Sequence, residues 1–543
     1  MVRAAETGPT DKMRPAHIAP GTATAALTPG VNCWRIEQAD RFAFIVDAAD
    51  YFTALRRAML KARHSILMIG WDFDARIAFG TDDPSGRGEE RGGDRTGDGQ
   101  GDPATDAPAD GGPECLGDFI LWLADRAPGL EIRLLRWDTG AFKALLRGNT
   151  LWTVLRWKAH PRITLRLDAA HPLASAHHQK IVVIDDSIAF CGGIDMTMQR
   201  WDTRAHLDRD PRRVSPGGRR HGPWHDATSA FDGAAARAMG DLARARWKAA
   251  TGETLAPCAD CGECWPECLP GGRESGFARP RLAIARSAPA MKDNPPLHEV
   301  ETAWLDLIAG ARRMIYAESQ YFASRRVARA IAQRLTEEDP PEIVLVTPEA
   351  ADGWLEQLAM DTARARLVSA LRRHDRQGRL RIYHPRTEGG APIYVHAKVM
   401  VVDDHVLRVG SSNLNNRSMR LDTECDVILS VGEPGNEGLG PRIAALRDDL
   451  LAEHLGVEPA EVTRRLAETG SLIATVEALR GPGRSLEPYR IPALSDLESW
   501  LAENEILDPD GPEEIFEPTT RRGLFRGWDR LRARLRRGPG AGR

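Results

Sequence analysis

The apolar and polar positions of the chain fall into two similar series. From Tyr51, the run YFTALRRAMLKARHSILMIGWDF sets apolar residues at helical spacing and then enters a short apolar stretch; from Val300, VETAWLDLIAGARRMIYAESQYF repeats the pattern. A stripe with a period near 3.6 followed by a continuous apolar run predicts a helix feeding a buried strand. Strand-like runs come next in each series: EIRLLRW from Glu131 and EIVLVTP from Glu342, then RITLRL from Arg162 and RLRIYH from Arg379. Each series ends in a predicted strand that carries His-x-Lys. Strands alternating with helices predict an α/β fold, and the repetition predicts two related halves.

The breaks in this pattern divide the chain. Residues 1–32, rich in Ala, Thr, Pro and Gly, read as a disordered lead-in. The first half spans 33–270 and contains a Gly- and Asp-rich surface insertion at 80–114 and a Cys-rich loop at 258–268. A linker at 271–296 leads to the second half at 297–456. A helical and acidic extension (457–517) and a basic amphipathic tail (518–543) complete the chain.

The chemistry lies where the two series align without a gap. HQKIVVIDDSIAFCGGID, from His178, falls on HAKVMVVDDHVLRVGSSN, from His396. His178 meets His396, Lys180 meets Lys398, Asp185 meets Asp403, Gly192 meets Gly410, and Asp195 falls on Asn413. Residues two apart on a strand share a face, so His and Lys project together. The ammonium can hold non-bridging phosphate oxygens while the imidazole supplies a nucleophile or a proton. The Gly-Gly and Gly-Ser that follow are expected to leave backbone amides free for an anion. Two half-sites give an imidazole on each side of one phosphorus, one to attack and one to protonate the departing alkoxide. This scheme requires no metal. Only eight lysines occur in the chain, and two of them fill the His-x-Lys positions.

These residues resemble the phospholipase D (HKD) superfamily. GGIDMTMQRWDTRAH from Gly192, PWHDA at Pro223, ESQYF at Glu318 and GSSNLNNRSMRLDTECD from Gly410 are similar to its further signatures, and the resemblance runs from about Trp34 to Gly456. It implies two pseudo-symmetric α/β domains, each a mixed sheet flanked by helices, with the active site at their interface. It implies His178 as nucleophile and His396 as general acid. It also implies Lys180, Lys398, Asn413 and Ser411 around the phosphate, with Asp195 at the position equivalent to Asn413. Asp226 and Glu424 map onto the carboxylates that orient the imidazoles. Asp185 and Asp403 complete the catalytic motifs and are expected to brace them rather than touch substrate. Ser319 stands where the family often has Asn.

Composition narrows the partners. The chain is 42% hydrophobic and 28% charged with a net charge of −4, so no global attraction to nucleic acid is expected, and no nucleic-acid partner. The opening residues carry no apolar run of the secretory type, and no stretch reaches the roughly 18 apolar residues of a spanning helix. A cytoplasmic protein is expected, meeting the inner face of the membrane peripherally. The tail offers arginines and apolar residues over 521–537 for an anionic surface. Cys258, Cys261, Cys264 and Cys268 could hold a structural zinc; the alternative is a loop with reduced thiols. Trp71 and Trp201 are candidates for a substrate pocket or simple packing, and His177 reads as structural. The expected reaction is hydrolysis of a glycerophospholipid, with transfer to an alcohol as a variant, through a phosphohistidine. A cardiolipin synthase-like phosphatidyltransferase is the alternative, followed by a nuclease of the same superfamily.

Overall fold

The computed structural model describes residues 26–80, 110–138, 150–172, 175–260, 262–271, 277–291, 294–351 and 360–492. The first amphipathic pattern forms the helix Ala48–Leu60 and delivers the chain to the strand Ser65–Gly70. The second forms Glu299–Gly310 and the strand Met314–Glu318. The runs that follow become Glu131–Trp137 and Ile163–Asp168 in one half, and Glu342–Val346 and Leu380–Arg386 in the other.

The two sheets repeat one strand order. In the first half the order is Phe42–Val46, Ala227–Asp232, Ile188–Gly192, Ile181–Ile184, Ser65–Gly70, Glu131–Trp137, Ile163–Asp168. In the second half Arg281–Ala288, Glu424–Ser430, Val406–Gly410, Val399–Val402, Met314–Glu318, Glu342–Val346 and Leu380–Arg386 follow each other in the same way. Parallel and antiparallel pairings also correspond, with two parallel pairs at one side of each sheet and antiparallel pairs elsewhere.

Both faces of the central strands are covered, which is why they read as unbroken apolar runs rather than as alternation. Ile181 and Val183 pack into a shared core with Val399, Val401, Val409 and Val427 of the other half. Val182 and Ile184 face the first half's outer helices, and Met400 and Val402 face the second half's. The helices Gly233–Thr251 and Gly440–Leu455 also pack into this shared core, so each sheet has helices on both faces and the halves meet through one continuous core. Each fully buried Val or Ile contributes about 1.5–3 kcal/mol there.

Four boundaries differ from the sequence reading. Arg35–Gln38, assigned to the first half, is an edge strand of the second half's sheet, paired with Arg281–Ala288. That partner lies inside the expected linker. Ser485–Pro488, in the expected C-terminal extension, pairs with Leu380–Arg386 at the opposite edge. Such edge strands are short, and Arg35–Gln38 is mostly polar, so periodicity does not reveal them. The end of the expected disordered lead-in also packs: Leu27 is buried, and Asn32 donates to Asp306 at 2.8 Å. Residues 81–109 of the insertion, the acidic stretch after 492 and the tail at 518–543 lie outside the described residues.

Candidate active site

His178 and His396 stand three residues ahead of the strands Ile181–Ile184 and Val399–Val402, rather than within them. Each is stitched to the opposite half. The His178 amide donates to Thr423 O at 3.0 Å, and the His396 amide donates to His225 O at 2.7 Å. The residue following each acceptor is an acid, and the pairing is reciprocal. Glu424 of the second half meets His178 Nδ1 with both carboxylate oxygens at 3.0 Å. Asp226 of the first half meets His396 Nδ1 at 2.7 Å. A carboxylate on Nδ1 fixes the ring's tautomer and orientation and leaves Nε2 outward.

The lysines join the same cluster. Lys180 Nζ lies 3.1 Å from Asp195 and donates to His178 O at 3.1 Å. Asn413, the counterpart of Asp195, brings no charge to Lys398, whose Nζ instead donates to the carbonyl of His396. Asn413 Nδ2 donates to Gln320 at 3.4 Å, while its Oδ1 is buried without a hydrogen-bond donor. Ser411 Oγ donates to Glu424, so its hydroxyl holds the carboxylate that holds His178.

Burial sets the electrostatics. It lowers the His178 imidazole well below the ordinary histidine value, and the ammoniums of Lys180 and Lys398 lower it further. His396 is lowered well below that value by burial, then by Lys398, Arg200, Lys180 and His178. The charges of each half thus act on the imidazole of the other. Burial raises Glu424 to about 8 and lowers Lys398 to about 7. The His178 side chain keeps 17% exposure against 4% for His396, so the cluster opens on the His178 side.

Asp185 and Asp403 do not join this cluster. They sit at the far ends of the same strands, in the turns that lead to Ile188–Gly192 and Val406–Gly410. Asp185 accepts the amides of Arg63, His64 and Ser65 at 2.7, 2.9 and 2.6 Å. Asp403 does the same for Arg312, Arg313 and Met314 at 2.5, 2.7 and 2.8 Å. They fasten the loop between the leading helix and strand of each half. The catalytic grouping of the motif is corrected to this extent.

The glycines also have a different task. Gly193 N donates to Ala227 O at 2.8 Å, Gly410 N to Lys398 O at 3.2 Å, and Ser411 N to Cys425 O at 3.0 Å. These amides are used in the sheets and are not free for an anion. A Cβ on Gly193 would lie 2.2 Å from Asp226 Oδ1, and one on Gly410 would lie 2.0 Å from Asp426 Oδ1. Glycine is needed there so that acids can approach the backbone.

Several residues around the cluster escaped the sequence reading. Trp224 stacks on Tyr394 at 4.5 Å and lies 5.2 Å from the His396 ring. The Arg200 guanidinium covers Trp224 at 4.1 Å. Gln320 donates to Tyr394 OH at 3.0 Å and accepts from Asn413. The run QRWD around Arg200 and the aromatic ahead of His225 were the available signals. Of the two candidate tryptophans, Trp71 stacks on Trp137 at 5.9 Å and Trp201 lies under Arg212 at 4.9 Å. Ser319 Oγ accepts the Leu414 amide at 3.1 Å. Buried His177 is hydrogen-bonded to Thr423 Oγ1 at 2.7 Å.

Among the described residues, the groups spaced to share an ion do not include Cys258, Cys264 or Cys268, and Cys261 lies outside the described residues. Cys264 is packed into the first half's core, where burial pushes its thiol up to about 12. That environment opposes the thiolate a zinc ligand must be.

Two α/β halves with matching sheets, each lending an acid to the other's histidine, define a duplicated protein with a single shared site. In sequence the chain is similar to phospholipase D proteins. Residues 304–433 match the family described as cardiolipin synthase, PLD-like domain. Phospholipase D alpha 1 of Carica papaya is 23% identical over 533 residues, covering 74% of this chain and 63% of the papaya protein. Phospholipase D A of Dictyostelium discoideum is 24% identical over 415 residues, covering 61% of this chain and 31% of that protein. The chain thus spans less than two thirds of the length of either relative. In fold it is similar to the crystal structure of phosphatidylserine synthase from Haemophilus influenzae Rd KW20, with a TM-score of 0.51 and 14% identity over 81% of this chain and 95% of that one. No described helix is long and apolar enough to cross a membrane.

Proposed function

We propose that the protein cleaves the distal phosphodiester of a glycerophospholipid by two in-line steps at phosphorus. His178 Nε2 attacks, with its Nδ1 proton held by Glu424, and the phosphatidyl group becomes bound to the imidazole. His396, held by Asp226, gives its proton to the departing headgroup oxygen; the negative charge of the bound diester offsets the burial and the cations that otherwise disfavour the protonated ring. In the second step His396 takes a proton from water or an alcohol, which displaces His178 and releases phosphatidic acid or a phosphatidyl alcohol. Lys180, Lys398 and Arg200 offset the charge on the non-bridging oxygens, and the buried amide of Asn413 adds a neutral polar contact. The observation that carries this reading is the reciprocal pairing of His178 with Glu424 and His396 with Asp226. It holds two imidazoles by their inner nitrogens in one buried group of cations.

The protein is to be incubated with mixed phospholipids and a primary alcohol, and the products identified by mass. Phosphatidic acid together with the phosphatidyl alcohol supports the proposal, and absence of both products contradicts it. Label from a 32P-phospholipid should remain on wild-type protein after quenching and be missing from His178→Ala; label that disappears only when His396 is replaced would reverse the roles. The family match at 304–433 favours testing a second acceptor. Cardiolipin formed from phosphatidylglycerol in preference to phosphatidic acid would make the protein a phosphatidyltransferase.

A further inference from the structure

A second buried group of histidines and acids lies behind Asp226, outside the reaction just described. Asp47, His206, His225 and Glu453 each offer one atom, and these atoms lie within 4.8 Å of one another. His225 Nδ1 and His206 Nε2 stand 2.9 and 3.1 Å from Glu453 Oε1. Each also stands 3.5 Å from an oxygen of Asp47. Four ligands at about 2.0–2.1 Å from a tetrahedral zinc would be separated from one another by about 3.3 Å. We propose that these four side chains form a closed structural site for a divalent transition-metal ion, with zinc favoured by the ligand set.

The surroundings fit an ion better than a set of hydrogen bonds. The other nitrogen of each ring already faces a carboxylate: His206 Nδ1 meets Asp202 at 2.9 Å and His225 Nε2 meets Glu318 at 2.9 Å. Outer carboxylates of this kind set the tautomer of a metal-binding imidazole and aim its free lone pair inward. Asp47 is 1% exposed, and its Oδ2 has no hydrogen-bond donor although it faces His206. A metal would satisfy that oxygen; protons on both rings would leave it unpaired. Two imidazole and two carboxylate ligands select zinc over calcium or magnesium.

The site would act by positioning. Asp47, His206 and His225 belong to the first half and Glu453 to the second, so the ion would join the halves beside the shared active site. Asp47 also accepts the Asp226 amide at 3.0 Å, which ties the ion to the peptide that presents Asp226 to His396.

The test uses full-length protein carrying Cys258→Ser and Cys261→Ser, which breaks up the four-cysteine cluster. The protein is stripped with a chelator and titrated with Zn2+ alone, with bound metal read by mass spectrometry and its ligands by X-ray absorption. One tightly held zinc per chain with only nitrogen and oxygen neighbours is expected. Affinity should fall at least tenfold in Asp47→Asn and in His206→Gln, and about 10–100-fold in Asp202→Asn, which removes only an outer partner. Absence of stoichiometric zinc, sulfur ligation, or unchanged affinity in these variants would overturn the proposal. Should His206→Gln fail to fold, the near-isosteric Asp47→Asn and the ligand identity in the parent protein still decide.

Discussion

Within the shared site, identical residue types have different surroundings, and this suits them to different work. His178 is the more open imidazole and has both oxygens of Glu424 on Nδ1; His396 is enclosed beside Trp224 with one oxygen of Asp226. Replacing either acid by its amide should lower turnover of phospholipid by about 10²–10⁴-fold, the range seen when the orienting group of a histidine is lost. An activated ester such as a p-nitrophenyl phosphodiester separates the two roles, because its leaving group needs no proton. Asp226→Asn should recover most of its first-step rate on that substrate, measured as the nitrophenolate burst, whereas Glu424→Gln should stay slow on both. Equal recovery by the two variants would contradict the assignment of nucleophile and acid.

Lys398 carries a second prediction at this scale. Burial lowers its ammonium from 10.5 to about 7, so the folded protein gives up a proton that the unfolded chain retains. Between about pH 7 and 10.5 the unfolded state binds more protons, and folding stability therefore rises with pH through that window. Below it, the cost of burying the ammonium is fully present. Lys398→Met should lack this rise, and the difference between wild-type and variant unfolding free energies from pH 7 to 9 measures it. A flat difference would show that the ammonium is well solvated or well paired. The substitution should also abolish turnover, since the site loses a phosphate-facing cation.

Among the elements, the hairpin following each His-x-Lys has the most informative geometry. Both residues at each tip have positive φ: 51° and 49° at Asp185 and Asp186, 52° and 61° at Asp403 and Asp404. These left-handed values close a tight three-residue turn between Ile184 and Ile188 and between Val402 and Val406, and Asp tolerates them better than most residues. The first Asp of each pair fastens the preceding loop through three amides, and the second takes an arginine from a helix. Asp186 pairs with Arg244 and Asp404 with Arg447. The motif's third residue thus holds the loop to the strands, its neighbour holds the helix, and both stay away from the two imidazoles. Asp185→Ala would leave three backbone donors without their charged acceptor and should cost about 3 kcal/mol, read as a lower urea midpoint. Asp185→Asn, which keeps one acceptor oxygen, should cost less.

Across the whole molecule, strands and acids are exchanged between halves. The edge strand Arg35–Gln38 completes the second half's sheet, and Arg35 and Arg286 flank Trp34 at 4.1 and 4.6 Å. Removing residues up to Gln38 should therefore destabilise the second half although the deletion falls in the first. A lower melting temperature, accompanied by faster amide exchange along Arg281–Ala288, would show it; unchanged exchange there would contradict the role given to this strand. The same exchange makes each half incomplete as a site, since neither contains the acid for its own histidine.

The sequence by itself determined the duplicated α/β pattern and the two His-x-Lys positions, because helical periodicity, buried strand runs and a gapless repeat are local properties of the chain. It also supplied Asp226 and Glu424 through the segments that resemble family signatures. Only the tertiary structure decided which acid serves which imidazole, since that depends on two sheets packing face to face and bringing together residues 246 and 170 positions apart. It likewise decided that the glycine amides are spent within the sheets and that a polar N-terminal strand belongs to the far half. The group of Asp47, His206, His225 and Glu453 was invisible along the chain for the same reason. Its members share no local spacing and meet only where the halves close on a common core.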